Sequence, residues 1–182
     1  MTREISAGGV VLREIAGAWH IALIEPEKTE SDKTVPRKED SAPAKTRSSA
    51  MLCLPKGLVD PPEKPEAAAI REVREETGIA AEAVTKLVDI KYVYVRTWGD
   101  GERVFKIVSF YLMRYLSGEI NDVSDDMRIE VRRALWVPLT DASKQMAYSG
   151  ERKVVLQARE YLEEYGLYSK EEKEIESRRS RA

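Results

Sequence analysis

Arg71, Glu72, Glu75 and Glu76 stand within six residues of one another in the run Ala69-Ile70-Arg71-Glu72-Val73-Arg74-Glu75-Glu76-Thr77. A helix advances about 100° per residue, so the three carboxylates are expected on one face, with Ala69, Ile70, Val73 and Thr77 turned toward another. Like charges at helical neighbour spacing repel. A divalent cation would relieve that repulsion, because hard ions such as magnesium take oxygen ligands and keep several waters, leaving room for substrate phosphates. Arg71 lies four residues before Glu75, within helical reach, and is expected to fix that carboxylate's orientation.

The residues around this helix are as specific as the helix itself. Gly57-Leu58-Val59-Asp60-Pro61-Pro62-Glu63-Lys64-Pro65 leads in, Pro65 suits a first helical turn, and Gly78 follows. A solvated charged face accounts for the glutamates but not for Gly57, Glu63 and Gly78 together. The stretch resembles a Nudix box: Gly, five residues, Glu, seven residues, Arg-Glu, an aliphatic, any residue, Glu-Glu, any residue, Gly, an aliphatic. Gly57, Glu63, Arg71, Glu72, Val73, Glu75, Glu76, Gly78 and Ile79 fill every fixed position.

The resemblance implies the α+β Nudix fold, an α/β/α sandwich around a central mixed sheet, over roughly residues 3–166. It also implies hydrolysis, by water and Mg2+ or Mn2+, of a nucleoside diphosphate linked to another group. Glu72, Glu75 and Glu76 would then supply metal ligands and the proton acceptor, and which of them is the base differs among family members. The backbone carbonyl just before the first glycine, here that of Lys56, is commonly a further ligand, and Glu63 usually supports the loop. Glu130 lies six residues before Trp136, a spacing that resembles the extra metal-binding glutamate of several Nudix hydrolases. A merely solvated acidic loop is the alternative, because Glu119, Asp122, Asp125 and Asp126 crowd the same stretch. Pro62 stands where the family often has glycine. Proline removes an amide donor and restricts φ, so a local change of loop path is expected.

For the substrate, Leu54-Pro55-Lys56-Gly57 resembles the Pro-Lys-Gly of hydrolases acting on diadenosine and diphosphoinositol polyphosphates, rather than the Pro-Gly-Gly common in ADP-ribose pyrophosphatases. Lys56 would set a mobile positive charge beside a polyphosphate. Tyr92 and Tyr94 alternate on one strand face, where diadenosine polyphosphate hydrolases often carry a tyrosine; strand tyrosines also serve as packing. The leading expectation is a pyrophosphohydrolase for a dinucleoside polyphosphate such as diadenosine tetraphosphate. Diphosphoinositol polyphosphates, nucleoside triphosphates, ADP-ribose and nucleotide sugars are the alternatives, followed by a sensor that binds nucleotide without hydrolysis. The intact carboxylate set argues against the sensor.

Composition narrows the remaining classes. A chain of 182 residues suits one domain with a full core, and the formal charge of -2 gives no case for a nucleic-acid partner. No run of about 20 apolar residues offers a membrane span, and the start, Met1-Thr2-Arg3-Glu4, lacks the order of a signal peptide. A cytoplasmic monomer or homodimer acting on a small nucleotide or polyphosphate is expected. Cys53, the single cysteine, lies between leucines and reads as a small hydrophobe on a buried strand; His20, the single histidine, cannot form a histidine metal cluster.

Strands are expected at residues 5–12, with Gly8-Gly9 permitting close backbone approach, and at 19–24. Residues 86–97 and 104–116 read as a hairpin around Trp98-Gly99-Asp100-Gly101, and residues 134–137 as a short strand. Thr140 or Asp141 is placed to cap a short helix, and Val154, Val155, Ala158, Tyr161, Leu162 and Tyr165 recur at helical spacing over 151–165. The domain is expected to occupy 1–168, and the charged tail, 169–182, to fray.

Residues 26–50 change character to proline, serine, threonine and mixed charge, with almost no large apolar side chain. Such a segment buries too little to offset its ordering entropy and reads as a surface insertion between strands, with a substrate lid or partner loop as the alternative. Replacing residues 29–48 with a short Gly-Ser link is therefore expected to leave the melting temperature within about 2 °C. A large fall in a thermal melt would show that the segment packs on the domain, and intact stability with collapsed turnover would establish the lid.

Overall fold

A computed structural model describes residues 2–27, 51–96 and 101–180. Most of the 26–50 insertion and the Trp98-Gly99-Asp100 turn lie outside the described residues. Five strands, β1 (Thr2–Ile15), β2 (Ala18–Pro26), β4 (Ala80–Val95), β5 (Arg103–Ser117) and β6 (Val131–Pro138), form a sheet in the order β4-β5-β1-β2-β6, and β3 (Lys56–Leu58) also pairs with β1. β1 runs parallel to β5 and antiparallel to β2 and β3, so the sheet is mixed. Among the described residues, four α-helices occur in chain order: α1 (Pro65–Thr77), α2 (Leu139–Gln145), α3 (Ser149–Tyr165) and α4 (Lys170–Arg179).

β1 is buried on both faces from Ser6 to Leu12 because each face carries a helical layer. Ala7 and Val11 alternate toward α1, where they meet Ala68, Ala69 and Val73. Val10 and Leu12 face the other way, against Leu139, Val154, Val155 and Ala158 of α2 and α3. The expected α/β/α sandwich follows from that alternation. Gly8 and Gly9 serve different faces. A Cβ on Gly9 would lie 2.6 Å from Val73 and one on Gly8 would lie 2.4 Å from the Pro55 carbonyl oxygen, so side chains there would push away α1 and the strand that precedes it.

Several elements differ from the sequence expectation. Leu52 and Cys53 make isolated bridges, to Met146 and Ile24 respectively, rather than a strand. Pro138, not Thr140 or Asp141, stands at the N-cap of α2, and no side chain caps it. The tail forms α4, because Ser169 and Glu172 make a reciprocal capping box; no residue of α4 is buried. β4 begins at Ala80, six residues earlier than its β-branched run, by pairing with the end of β5.

Gly78 closes α1 at φ 82°, and a Cβ there would lie 2.4 Å from the Asp122 carbonyl oxygen. Gly17 has a similar φ of 79° with nothing within 4 Å of an added Cβ. Gly17→Ala should therefore cost only the left-handed penalty of about 1 kcal/mol, whereas Gly78→Ala adds a backbone clash and should cost at least about 2 kcal/mol. Urea unfolding of both variants checks this, and equal losses would refute the close approach.

Candidate active site

Helix α1 enters behind Pro65 and lays Ala68, Ala69 and Val73 on the sheet. Because Glu72 and Glu76 fall on that same side, both are buried, while the Glu75 side chain is 42% exposed. The trio expected on one face, apart from the packing residues, is thus a buried pair with an outer third member. Glu72 lies over Gly57: a Cβ there would be 2.1 Å from the Glu72 carboxyl carbon, so the first glycine of the motif is the space this carboxylate occupies. Glu76 accepts a hydrogen bond of 2.7 Å from the Lys56 backbone N–H.

Arg71 holds the outer edge of the cluster. Its Nη1 donates to Glu72 at 2.7 Å and to Glu75 at 3.0 Å, its Nε and Nη2 grip Glu63 at 3.0 and 2.9 Å, and Nη2 also reaches the Leu58 carbonyl at 2.9 Å. The planar guanidinium is suited to this branching contact. Glu63 therefore ties the loop to the helix as expected. The loop turns through a hydrogen bond from the Glu63 N–H to the Asp60 carbonyl despite Pro62.

Burial raises the pKa of Glu72, opposed by Arg71 and reinforced by Glu75 and Glu130. Burial pushes Glu76 up to about 8, opposed by Lys56 and reinforced by Glu72 and Glu130. Glu130 is exposed, just after a short 3-10 turn at Met127–Ile129, yet its charge acts on both buried carboxylates. An all-oxygen, mutually repelling donor set is one that a hard divalent cation suits. Among the described residues no group of three His, Cys, Asp or Glu side chains is arranged to hold a metal as it stands. Arg71 and the Lys56 amide already engage the three α1 carboxylates. The donor chemistry fits a cation that competes with those partners.

Lys56 is not the mobile charge expected. Its ammonium lies 3.3 Å from Glu151, a buried residue in the first turn of α3, whose other oxygen accepts from the Leu54 N–H at 2.8 Å. The Lys56 side chain lines a cavity of about 680 Å3 with Tyr92, Tyr94, Lys106, Tyr148 and Glu151. Tyr92 and Tyr94 do share that face, with ring centroids 6.3 Å apart, and the Tyr94 hydroxyl donates to Glu4 at 3.0 Å. Cys53 is buried and its thiol is pushed up to about 12, chiefly by burial, consistent with a hydrophobe rather than a nucleophile. His20 faces the Ala18 carbonyl at 3.0 Å.

Lys106 and Glu151 escaped the sequence reading, although a signal exists for each. Glu151 lies on the i, i+3, i+4, i+7 stripe with Val154, Val155 and Ala158, an acid where an apolar residue belongs. Lys106 breaks the alternation of Val104, Val108, Phe110 and Leu112 on β5.

A family model described as the NUDIX domain matches residues 34–158. A Mycobacterium tuberculosis protein named MutT4 is 35% identical over 160 residues, covering 88% of this chain and 56% of its own length, so the chain spans little more than half of that relative. Among solved structures, a Caenorhabditis elegans Ap4A hydrolase in a binary complex shares 23% identity with a TM-score of 0.59, covering 89% of this chain and 99% of its own. A MutT NUDIX hydrolase from Burkholderia pseudomallei, also 23% identical, gives a TM-score of 0.58, covering 86% of this chain and 98% of its own.

The raised pKa of Glu76 has a sign that can be measured. In the metal-free folded protein Glu76 holds its proton up to about pH 8, against an ordinary value of 4.5 in the unfolded chain. The resulting stabilisation is full below about pH 4.5 and is lost as the pH rises to about 8. Glu76→Gln cannot ionise. Thermal melts in chelator should therefore show the wild type losing ground to Glu76→Gln between about pH 5 and about pH 8.5; a constant offset would refute the burial argument.

Proposed function

The chain belongs to the Nudix family, and on that premise we propose that it is a metal-dependent pyrophosphohydrolase that cleaves a phosphoanhydride bond, with a dinucleoside polyphosphate as its substrate class. The observation that carries this reading is the buried Glu72 and Glu76 pair, gathered at Gly57 with Glu75 and Glu130 acting on it. The lysine- and tyrosine-walled cavity next to the same β3 residue, Lys56, supports a phosphorylated substrate.

Each group has a physical task in this proposal. Glu72, Glu75, Glu76, the Lys56 carbonyl and Glu130 would hold Mg2+ or Mn2+, which when bound supplies charge neutralisation to the phosphate oxygens. One carboxylate of the α1 set accepts the proton of the attacking water. Arg71 keeps Glu72 and Glu75 aimed, and Glu63 keeps Arg71 in place. Lys56 offers positive charge to the phosphate chain, with Tyr92 and Tyr94 lining the adjoining wall. The Pro-Lys-Gly sequence favours a dinucleoside polyphosphate over ADP-ribose by resemblance. A cytoplasmic monomer or homodimer acting on a small molecule is the setting inferred from composition, with residues 1–168 as the catalytic domain.

Replacing Glu75 or Glu76 with Gln preserves shape and removes charge. Turnover of diadenosine tetraphosphate with magnesium should fall at least about 100-fold in either variant, the scale of losing a principal electrostatic stabiliser. Product chromatography over diadenosine tetraphosphate, ADP-ribose, a nucleoside triphosphate and a diphosphoinositol polyphosphate reads both mechanism and choice. Near-normal turnover in both variants, with folding verified by circular dichroism, would remove the mechanism. A preference for another compound would replace the substrate and leave the chemistry.

A further inference from the structure

The segment between β5 and β6, residues 118–130, carries Glu130 and lies against the C-terminal end of α1. Asn121 makes the contact. Its N–H donates at 2.8 Å to the carbonyl of Thr77, the last residue of α1, where a helix leaves carbonyls without an intrahelical partner. Asn121 has φ 73°, a left-handed conformation in which asparagine is enriched over other side chains. Its side chain joins two more elements, because Oδ1 accepts from the Ala134 N–H of β6 at 2.9 Å and from Arg128 Nη1 at 2.8 Å. One residue thus ties together α1, β6 and the 3-10 turn that precedes Glu130.

Arg128 closes the clamp from inside that turn, donating through Nη2 to the Asn121 backbone carbonyl at 2.5 Å and through Nη1 to the Arg132 carbonyl at 3.3 Å. Asp122, Asp125, Asp126 and Glu130 are close in sequence, yet the guanidinium hydrogen-bonds carbonyl oxygens instead. It holds the shape of the loop. Glu130 follows with its N–H donating to the Met127 carbonyl at 3.0 Å and its own carbonyl accepting from the Glu27 N–H at 2.8 Å. The backbone is therefore fixed on both sides, while the residue is exposed and its charge acts on Glu72 and Glu76. Ile120 and Met127 also pack on Ile24, Cys53, Val131 and Ala134, but apolar contact is non-directional and does not aim a carboxylate. The hydrogen bonds to Asn121 supply the direction.

We propose that Asn121 and Arg128 are positioning residues of the cation site, which lock the 118–130 loop onto the end of α1 and so hold Glu130 within reach of an ion shared with Glu72 and Glu76. The role rests on the metal-dependent reading of these carboxylates, in which Glu130 is a ligand. A brace that only stabilises the domain is the competing account, and charge separates the two. Removing the Arg128 cation from an acidic loop should, by Coulomb attraction alone, tighten the binding of a divalent ion. Losing the aim of Glu130 should weaken it. The two effects have opposite signs, so the direction of the change identifies which one the clamp serves.

Calorimetric titration of the full chain with Mn2+, without substrate, reads that direction in wild type, Arg128→Met, Arg132→Met, Glu130→Gln and the Arg128→Met, Glu130→Gln double variant. Arg132, whose side chain pairs with Glu25 at 3.4 Å, controls for the loss of one positive charge nearby. Glu130→Gln should weaken Mn2+ binding about tenfold and Arg128→Met at least about fivefold, the scale of losing a partner that orients a metal ligand. Arg132→Met should leave it unchanged or tighter. In the Glu130→Gln background Arg128→Met should cost under about twofold more, because the carboxylate it aims is already gone. If Arg128→Met fails to fold, Asn121→Gly replaces it in both backgrounds with the same expectations, since glycine keeps the left-handed backbone and removes only the side-chain contacts. Unchanged or tighter Mn2+ binding in the variant tested, an equal loss in both backgrounds, or no effect of Glu130→Gln overturns the positioning role. A wild type that binds no Mn2+ overturns it together with the metal-dependent reading. The expected Mn2+ pattern in a chain that hydrolyses none of the compounds named above would instead sink the pyrophosphohydrolase reading and leave the positioning role standing.

Discussion

Burial of two carboxylates on the sheet-facing side of α1 is the constraint from which the rest of the site follows. Glu72 and Glu76 share that side with Ala68, Ala69 and Val73, so packing the helix drags negative charge out of water. An isolated buried charge is costly, and such a group either shifts its pKa or acquires donors. Both occur here. The pKa values rise, Arg71 closes on Glu72 from outside, and the Lys56 amide meets Glu76 from within. Gly57 is then forced, because Glu72 lies where its side chain would be.

The same constraint reaches the strands. For the Lys56 amide to face Glu76, residues 54–57 must cross close to β1, and Gly8 leaves the space that the Pro55 carbonyl and the Lys56 Cβ fill. The Pro55 carbonyl accepts from the Gly9 N–H at 3.1 Å, and Glu151 anchors the crossing from the far side through the Leu54 N–H. A three-residue strand, β3, is enough because side chains hold both of its flanks. Glu151 therefore couples α3 to α1 across the sheet, and its own burial is matched by the Lys56 ammonium.

How much of this was legible in the sequence depended on whether the determining contact is local. The carboxylate helix, its proline start and its glycine end follow from residues a few positions apart, and all stand as read. Individual strands and the 151–165 helix followed from apolar patterns, whereas their arrangement as a mixed sheet between two helical layers was what the family resemblance implied. Three features were lost for distinct reasons. The split of Glu72 and Glu76 from Glu75 depends on which side of α1 the sheet lies, and a helical wheel does not supply that. The Lys56 and Glu151 pair joins residues far apart in sequence, so Lys56 read as mobile. The helix in the tail was legible, since Ser169-x-x-Glu172 is a capping box; charge and lack of aromatics outweighed it wrongly, because a capped helix does not need a buried face to form its hydrogen bonds.

The distribution of charge across the sheet gives the last step. On the α1 side the site is acidic, with Glu72, Glu75, Glu76 and the field of Glu130; on the α3 side Lys56 and Lys106 line the cavity. A polyphosphate is repelled by the first and drawn to the second, so in the proposed reaction it cannot lie across the carboxylates unless cations intervene. On the proposed reading, that division gives the cavity the contacts with substrate and leaves the carboxylates as the place where charge is neutralised before chemistry. It also explains why Lys56 is held rather than free. A lysine that swung across β3 would pair with the α1 carboxylates and compete with the cation, and Glu151 keeps the ammonium on the cavity side while the amide of the same residue serves Glu76.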